Sequence, residues 1–235
     1  MTAWIIGAAG GIGQAAVETL AQSKNTLCLF DKKEARSEFH NRNYYQVDFS
    51  KYEIAREKCM LAVEECGRPQ ILCFAAGEVI SQSFENTTDD IVDSLYQNNF
   101  KALLHALKIF IENCDMSAEC EKSIIIISSN AGSVARVNQP IYAAFKAAIN
   151  SLIKSLAKDY GKYNLRINGV APGTVIVDRN IDSLRIKFPE FPFDRKRPLQ
   201  KLMYPTNLTP VINFLLDERC PITGQIITID GGSTL

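Results

Sequence analysis

Histidine is scarce in this chain of 235 residues, and the cysteines follow no metal-binding or pairing pattern. The only two histidines are His40 and His105, and the seven cysteines form no CxxC spacing. An odd number of scattered thiols argues against a disulfide framework and against a structural zinc site. We therefore predict reduced thiols, no metal centre and a cytoplasmic location.

Long apolar runs and an excess of one charge are also missing. No run approaches the roughly 20 apolar residues that cross a bilayer, and the first residues lack the basic segment of a signal peptide. The 26 Lys and Arg residues balance the 26 Asp and Glu residues, so a general affinity for polyanions is not expected. We predict neither a membrane partner nor a nucleic-acid partner.

What the chain does contain is typical of a folded α/β protein. Its 46% hydrophobic and 22% charged residues exclude a disordered chain, and short apolar runs alternate with amphipathic stretches. The apolar runs predict strands at 3–6, 26–30, 44–47, 71–74, 123–128, 166–171 and 225–229. The amphipathic stretches predict helices at 12–21, 52–65, 89–113, 140–160 and 206–216. We expect a Rossmann-type, doubly wound parallel sheet of about seven strands with helices on both faces, in one domain over residues 1–235.

A glycine-rich turn joins the first predicted strand to the first helix. Its spacing is GxxxGxG, with Gly7, Gly11 and Gly13 as the glycines and Ile12 between the last two. Glycines allow a tight turn and bring backbone N–H groups close to a diphosphate, and the helix N-terminus adds a positive dipole end. The turn predicts a dinucleotide-binding domain; a glycine turn without a ligand is the alternative.

Two aspartates follow the next strands and bear on the choice of cofactor. Asp31, about 20 residues past the glycines, can accept both hydroxyls of an adenosine ribose and would repel a 2′-phosphate, which favours NAD over NADP. Lys32 and Lys33 come directly after it, and a lysine there could instead pair with that phosphate. Asp48 is a candidate partner of the adenine amino group, with a solvated turn aspartate as the alternative.

Two side chains suited to proton transfer share one face of a predicted helix. Tyr142 and Lys146 are four residues apart, and Ser129 follows the fifth strand, which should end at the same edge of the sheet as the glycine turn. A phenol near its usual pKa is a poor base at neutral pH, whereas a nearby ammonium and a cationic nicotinamide lower that pKa. Ser129 would hold the substrate oxygen by a hydrogen bond. The pattern predicts hydride transfer between an alcohol carbon and a nicotinamide.

These motifs occur in an order that resembles the short-chain dehydrogenase/reductase family. The glycine turn, an asparagine in the helix predicted at 89–113, Ser, YxxxK, Pro-Gly and a terminal Asp-Gly-Gly follow one another over about residues 3–233. The resemblance implies one Rossmann domain with seven parallel strands. It also implies an NAD(P)-dependent oxidoreductase that acts on a secondary alcohol or carbonyl, and a homotetramer or homodimer.

Carried onto this chain, the resemblance assigns individual residues. The implied catalytic set is Ser129, Tyr142, Lys146 and Asn99. Asn99 would hold a proton-relay water, with Asn98 as the alternative register, and Lys146 would also bond the nicotinamide ribose. The further cofactor contacts that it implies are Ala75, Gly77, Pro172, Gly173, the Val175 backbone and Tyr142.

Three positions depart from the family pattern. Ile6 stands where a threonine is common, Phe74 where the family has asparagine, and Val177 where a threonine often meets the nicotinamide amide. Each replaces a polar contact by an apolar one. The second hypothesis is therefore a catalytically impaired, dinucleotide-binding regulatory or scaffold protein.

A proline- and charge-rich segment at about 175–205 is expected to form a substrate lid. Residues 179–201 include seven basic and three acidic side chains, a net charge of +4, which would steer an anionic substrate; a solvated loop is the alternative. Arg136 is a second candidate for a substrate carboxylate, beside the substrate contacts of Ser129 and Tyr142.

Three short runs suggest a narrower substrate class. Residues 129–136, 198–201 and 230–235 are similar to the 2,3-dihydro-2,3-dihydroxybenzoate dehydrogenases. That resemblance implies a cyclic dihydrodiol carboxylate oxidised with NAD. We therefore expect the substrate to be small and cyclic or anionic.

Overall fold

A computed structural model describes residues 1–23, 25–39, 42–195 and 197–235 of the chain, so His40 and Lys196 lie outside the described residues. Its centre is a seven-stranded parallel sheet in the order β3-β2-β1-β4-β5-β6-β7. The strands are β1 (Thr2–Ile6), β2 (Thr26–Asp31), β3 (Asn43–Gln46), β4 (Ile71–Phe74), β5 (Lys122–Ile127), β6 (Leu165–Pro172) and β7 (Ile226–Ile229).

Helices cover both faces of the sheet. They are α1 (Gly11–Ala21), α2 (Tyr52–Cys66), α3 (Asp89–Leu95), α4 (Ala102–Asn113), α5 (Pro140–Tyr160), α6 (Ile181–Lys187) and α7 (Thr209–Leu216). Successive strand residues point to opposite faces, so Trp4 and Ile6 join the core under α2, α4 and α5, whereas Ala3 and Ile5 join the core under α1 and α7. The predicted doubly wound fold is confirmed.

The order of the strands determines where a crevice opens. After β1 the chain builds β2 and β3 on one side and then returns to place β4 on the other side of β1. Loops after β1 and β4 therefore leave the sheet in opposite directions, and ligands of doubly wound sheets bind at such a point. At this point Gly7 approaches the backbone of Ala76 so closely that a side chain on Gly7 would overlap it.

Most predicted boundaries agree with the structure to within one or two residues, and two regions differ. The helix predicted over 89–113 is continuous, but it contains a π-helical turn at Tyr96–Lys101 that separates α3 from α4. The helix predicted at 206–216 begins only at Thr209, because Pro205–Asn207 forms a 3₁₀ turn. None of the helices in the described parts of the chain combines the length and apolar character that a membrane span requires.

The segment 175–205 is more ordered than the predicted loop. It contains the unpredicted helix α6, and Ile176, Leu184 and Leu202 form a small apolar cluster of their own. Phe193 and Lys201 pair as an antiparallel bridge. The alternative of a purely solvated loop is wrong for this segment, because Arg197 is buried and forms an ion pair with Asp194 (2.7 Å).

Candidate active site

The glycine turn presents backbone N–H groups at the crevice. Gly7 has a φ of +86°, and a Cβ on Gly13 would overlap the carbonyl oxygen of Gly7, so both positions require glycine. Helix α1 begins at Gly11, and no side chain caps it. Because the first N–H groups of a helix have no partner within the helix, this end of α1 suits the diphosphate of a dinucleotide.

Asp31 ties the end of β2 to the glycine turn. Its Oδ2 accepts a hydrogen bond from the Ala9 N–H and its Oδ1 accepts one from the Lys33 N–H, both at 3.0 Å. Each carboxylate oxygen can accept a second bond, so a ribose contact is still open to Asp31. The Lys32 ammonium is hydrogen-bonded to another residue, since its Nζ donates to Asn98 Oδ1 (2.9 Å). Asp48 Oδ1 accepts from the Ser50 N–H (2.8 Å) and so stabilises its own turn.

Arg36 is a residue at this crevice that the sequence analysis missed. Its Nε donates to the Ala9 carbonyl (2.9 Å), and its guanidinium lies 3.7 Å from the Asp178 carboxylate. The arginine therefore joins the glycine turn to the first residues after β6. No local motif marks Arg36, because Ala9 and Asp178, which it joins at the crevice, are far from it in the sequence.

Tyr142 and Lys146 lie one helical turn apart near the start of α5, which Pro140 opens. Lys146 Nζ is 5.6 Å from the centroid of the Tyr142 ring and donates to the Ile127 carbonyl at the end of β5 (3.2 Å). Ser129 follows the same strand, and its side chain lowers the pKa of the Tyr142 phenol, against the larger effect of burial. All three side chains are buried. The structure brings this predicted set together.

Burial dominates the proton affinities of the pair. It raises the pKa of the Tyr142 phenol, while the hydrogen bond from Ser129 and the charge of Arg179 act in the opposite direction. Burial lowers the pKa of Lys146 to about 8, and the charge of Arg179 adds to that effect. The predicted lowering of the phenol pKa is therefore not produced by the chain alone, because desolvation of the phenolate is the largest effect.

The π-helical turn determines which asparagine faces the site. The buried Asn99 donates from Nδ2 to the Glu78 carbonyl (3.0 Å) and accepts from the Glu78 N–H (3.2 Å). A Cβ on Gly77 would lie 2.9 Å from Asn99 Oδ1 and 3.8 Å from Lys146 Nζ. Asn98 instead donates to the Glu78 carboxylate (3.0 Å). The structure thus places Asn99, rather than Asn98, between the loop after β4 and Lys146.

The other predicted cofactor residues line the crevice from β4 and β6. The Ala75 N–H donates to the Ile6 carbonyl (2.8 Å), and the Gly173 N–H, directly after Pro172, donates to the Ile229 carbonyl (2.9 Å). Val175 is buried, and its carbonyl accepts from Asn180 Nδ2 (2.8 Å). A carbonyl oxygen can accept a second hydrogen bond, so the Val175 backbone can still make the predicted carboxamide contact.

The three residues that depart from the family pattern, Ile6, Phe74 and Val177, make apolar contacts in the structure. Ile6 and Phe74 are paired across β1 and β4 and are buried in the core. Val177 packs against the glycine turn, since its Cγ1 lies 2.7 Å from the position of a Cβ on Gly11. These substitutions leave the group formed by Ser129, Tyr142 and Lys146 intact.

Arg179 lies close enough to the reaction centre for its charge to act on both Tyr142 and Lys146. Arg179 Nη1 lies 3.4 Å from the Gly77 carbonyl, next to the space that Lys146 and Asn99 enclose. Within the described chain, no hydrogen bond or ion pair joins the Arg136 side chain to Ser129, Tyr142 or Lys146. In the sequence Arg179 is only one cation of a basic segment, because its approach to Gly77 depends on the tertiary fold.

The lowered pKa of Lys146 predicts a pH-dependent stability. Between pH 8 and about 10 the unfolded chain binds more protons at this lysine than the folded protein does. The free energy of unfolding therefore rises with pH over this range. Below pH 8 the folded protein bears the full penalty of burying the ammonium, and this penalty disappears as Lys146 loses its proton. We expect the Tm of the wild type, measured without cofactor by differential scanning fluorimetry, to increase relative to that of Lys146→Met between pH 7 and pH 10.

Lys158→Met supplies the matched control, because Lys158 is exposed on the same helix. Its Tm should differ from that of the wild type by a constant amount over this pH range. Parallel curves for the wild type and Lys146→Met would contradict the burial argument.

Comparisons with known proteins identify the family of this chain. The family model described as short chain dehydrogenase matches residues 1–184. The chain is 31% identical over 250 residues to the oxidoreductase UcpA of Escherichia coli (strain K12), covering 100% of this chain and 94% of that protein. It is 30% identical over 266 residues to a tropinone reductase homolog of Datura stramonium, covering 100% and 92%.

A solved structure described as ElxO with NADP bound has the same fold. It superposes with a TM-score of 0.88 at 25% identity, covering 99% of this chain and 98% of that one. The family model covers more than half of the chain, and both relatives are at least 30% identical over all of it. The chain therefore belongs to the short chain dehydrogenase family.

Proposed function

We propose that this protein is a single-domain, NAD(P)-dependent oxidoreductase that interconverts a secondary alcohol and a carbonyl. The observation that carries the proposal is the buried group of Ser129, Tyr142 and Lys146. This group stands at the carboxyl ends of the strands, where the glycine turn offers the N-terminus of α1 to a diphosphate. An enzyme of this kind needs a proton-transfer group and a dinucleotide site at one edge of the sheet, and the chain supplies both.

The chain's own residues divide the proton chemistry among themselves. When bound, the nicotinamide supplies the hydride acceptor or donor. Tyr142 takes the hydroxyl proton when an alcohol is oxidised and returns it when a carbonyl is reduced. Ser129 donates a hydrogen bond to the substrate oxygen as charge develops on it. Lys146, with a pKa of about 8, is mostly charged at pH 7 and stabilises the phenolate.

Asn99 has a supporting position in this proposal. Its amide holds the Gly77–Glu78 backbone beside Lys146 through two hydrogen bonds to Glu78. The proton-relay water that the family resemblance implies would lie next to this amide and Lys146. A protein without turnover is not favoured, because a regulatory or scaffold role gives no reason to bury a lysine and a tyrosine together.

For the cofactor we propose NAD rather than NADP. Asp31 is held in place by the Ala9 and Lys33 N–H groups, so its charge would lie beside the adenosine ribose of a bound dinucleotide and would oppose a 2′-phosphate. The description of ElxO names NADP, which makes a direct comparison necessary. Fluorescence titrations with NADH and NADPH test the choice: we expect NADH to bind at least about tenfold more tightly, and tighter binding of NADPH would contradict it.

The activity itself is tested with the preferred dinucleotide and a panel of small secondary alcohols and ketones. Turnover with one of the panel, seen as a change in NADH absorbance, supports the oxidoreductase. NADH binding without any turnover across the panel would instead support the regulatory or scaffold alternative.

We propose an anionic, cyclic substrate, and a cyclic dihydrodiol carboxylate is the first to test. The support is the similarity of residues 129–136, 198–201 and 230–235 to dehydrogenases of that class, together with the position of the Arg179 guanidinium beside Gly77. A cation at the mouth of the reaction centre attracts a carboxylate. In this proposal the 175–205 segment covers the substrate.

Arg179→Ala is therefore expected to change the preference for charge. For a cyclic secondary alcohol that carries a carboxylate, KM should rise about tenfold, whereas KM for the uncharged analogue should stay within about twofold. Initial rates with the two alcohols give both values. Arg185→Ala is the control, because Arg185 in α6 is exposed and pairs with Asp182 (3.6 Å). An equal change of KM for both alcohols would remove Arg179 from substrate recognition.

The family resemblance also implies self-association. We propose a homodimer or homotetramer, and multi-angle light scattering during size-exclusion chromatography measures the mass directly. A mass equal to the 26.2 kDa of one chain would contradict the proposal.

A further inference from the structure

The carboxylate of Asp230 lies at the junction of three segments that surround the proposed reaction centre. It directly follows β7 and is buried. Its Oδ2 accepts hydrogen bonds from Asn130 Nδ2 (3.0 Å) and from the Ser233 hydroxyl (2.8 Å), and its Oδ1 accepts from the Gly232 N–H (2.9 Å). A buried carboxylate with this many donors remains charged, and the pKa of Asp230 is lowered because these hydrogen bonds outweigh its desolvation.

The first segment is the turn that carries Ser129. Asn130 is buried and begins the 3₁₀ turn Asn130–Gly132, in which Ser129 Oγ accepts from the Ala131 N–H (3.2 Å). The amide of Asn130 also lies 3.3 Å from the Ser233 hydroxyl. The side chain next to Ser129 is thus fixed by residues about one hundred positions away in the sequence.

The second segment, the turn after β6, and the third, the 175–205 segment, also contact Asp230. A Cβ on Gly173 would lie 2.7 Å from the Asp230 Cβ, so the turn after β6 packs directly against it. The buried Arg197 of the 175–205 segment donates from Nη1 to the Asp230 carbonyl (3.0 Å) and from Nε to Asp194 (2.7 Å). The Ser129 turn, the Gly173 turn and the 175–205 segment therefore share one buried residue.

We propose that Asp230 is a positioning residue that holds the Ser129 turn in its reactive geometry and links that turn to the segment covering the substrate. The inference rests on the proposed function for its effect on turnover. Asp230 contacts none of the reacting groups and acts through Asn130. The hydrogen bonds of a charged carboxylate are stronger than those of an amide, so Asn at this position should loosen the turn without emptying the space.

Asp230→Asn tests this with two separate readouts. The first is hydrogen–deuterium exchange of the peptide that spans residues 128–136, measured without substrate; we expect faster exchange there and no change in α2. The second is kinetic: with a substrate found from the panel, kcat should fall about tenfold while the Kd of NADH stays within about twofold. The pKa seen in the kcat–pH profile should also rise, because the Ser129 hydrogen bond that lowers the Tyr142 pKa is weakened.

Two further variants make the result decisive. Ser233→Ala removes a single donor from Asp230 at a half-exposed position and should give a smaller change of the same kind, even if Asp230→Asn does not fold. Asp217→Asn is the control, because Asp217 pairs with Arg219 (2.6 Å) on the exposed surface after α7, and it should change neither readout.

The two proposals can fail separately. Unchanged exchange at 128–136 in Asp230→Asn and Ser233→Ala, with unchanged kcat, would overturn the positioning role. A second outcome is that Asp230→Asn exchanges faster at 128–136 while the wild type turns over no substrate. That outcome supports the link between Asp230 and the Ser129 turn and contradicts only the proposed function.

Discussion

Tyr142→Phe is expected to lower kcat by about a thousandfold or more and to leave the affinity for NADH nearly unchanged. The substitution removes one oxygen atom, the only group on this side chain that can take or give a proton. The ring stays against Lys146 (5.6 Å from Nζ to the centroid) and keeps its place in the apolar cluster with Leu95 and Ala131. Burying a hydroxyl group costs free energy that its hydrogen bond roughly offsets, so the variant should be about as stable as the wild type.

Steady-state rates and an NADH titration on the same preparation measure this. Tyr160→Phe is the matched control, because Tyr160 is the last residue of the same helix. Among the described residues, the only aromatic ring that its own ring contacts is that of Tyr163 (centroids 6.3 Å apart). That variant should retain full activity. Equal activity of Tyr142→Phe and the wild type would defeat the assignment of the proton-transfer group.

Tyr142 illustrates what a sequence can reveal about such a site. A spacing of four residues places two side chains on one helix face by geometry alone, and strands that end at one edge bring Ser129 to that face. The same reasoning locates the seven strands, because burial on both faces gives short, nearly continuous apolar runs. These features are local, and the structure agrees with them.

Features that depend on contacts across the fold were missed. Arg36, Arg179 and Asp230 each meet partners more than twenty residues away. The terminal Asp-Gly-Gly motif includes Asp230 and the basic segment includes Arg179, but neither pattern reveals these contacts. The π-helical turn at Tyr96–Lys101 decided between Asn98 and Asn99, because it changes the face on which each side chain lies. Helix α6 was missed because prolines and charges surround a short apolar pattern, whose stability comes from packing against Ile176 and Leu202.

Gly13→Ala is expected to reduce both stability and dinucleotide binding, against the usual effect of this substitution. Within a helix, replacing Gly by Ala normally stabilises a protein by up to about 1 kcal/mol. At Gly13, however, the new Cβ would overlap the carbonyl oxygen of Gly7 and approach its carbonyl carbon to 2.7 Å. Both atoms belong to the backbone, so the turn itself must move. We expect a loss of about 1–3 kcal/mol in the free energy of unfolding and at least a tenfold loss of NADH affinity.

Gly161→Ala adds the same methyl group but is expected to raise the free energy of unfolding. Gly161 has a φ of −57°, and no heavy atom of the residues that the structure describes lies within 4 Å of the position of its Cβ. Restricting the unfolded chain at such a site stabilises a protein by about 0.4–1 kcal/mol. Urea unfolding and NADH titration of the two variants therefore separate the packing of the glycine turn from the general effect of alanine. If Gly13→Ala unfolded at the same urea concentration as Gly161→Ala and bound NADH like the wild type, then the close approach of α1 to Gly7 would not be what shapes the diphosphate site.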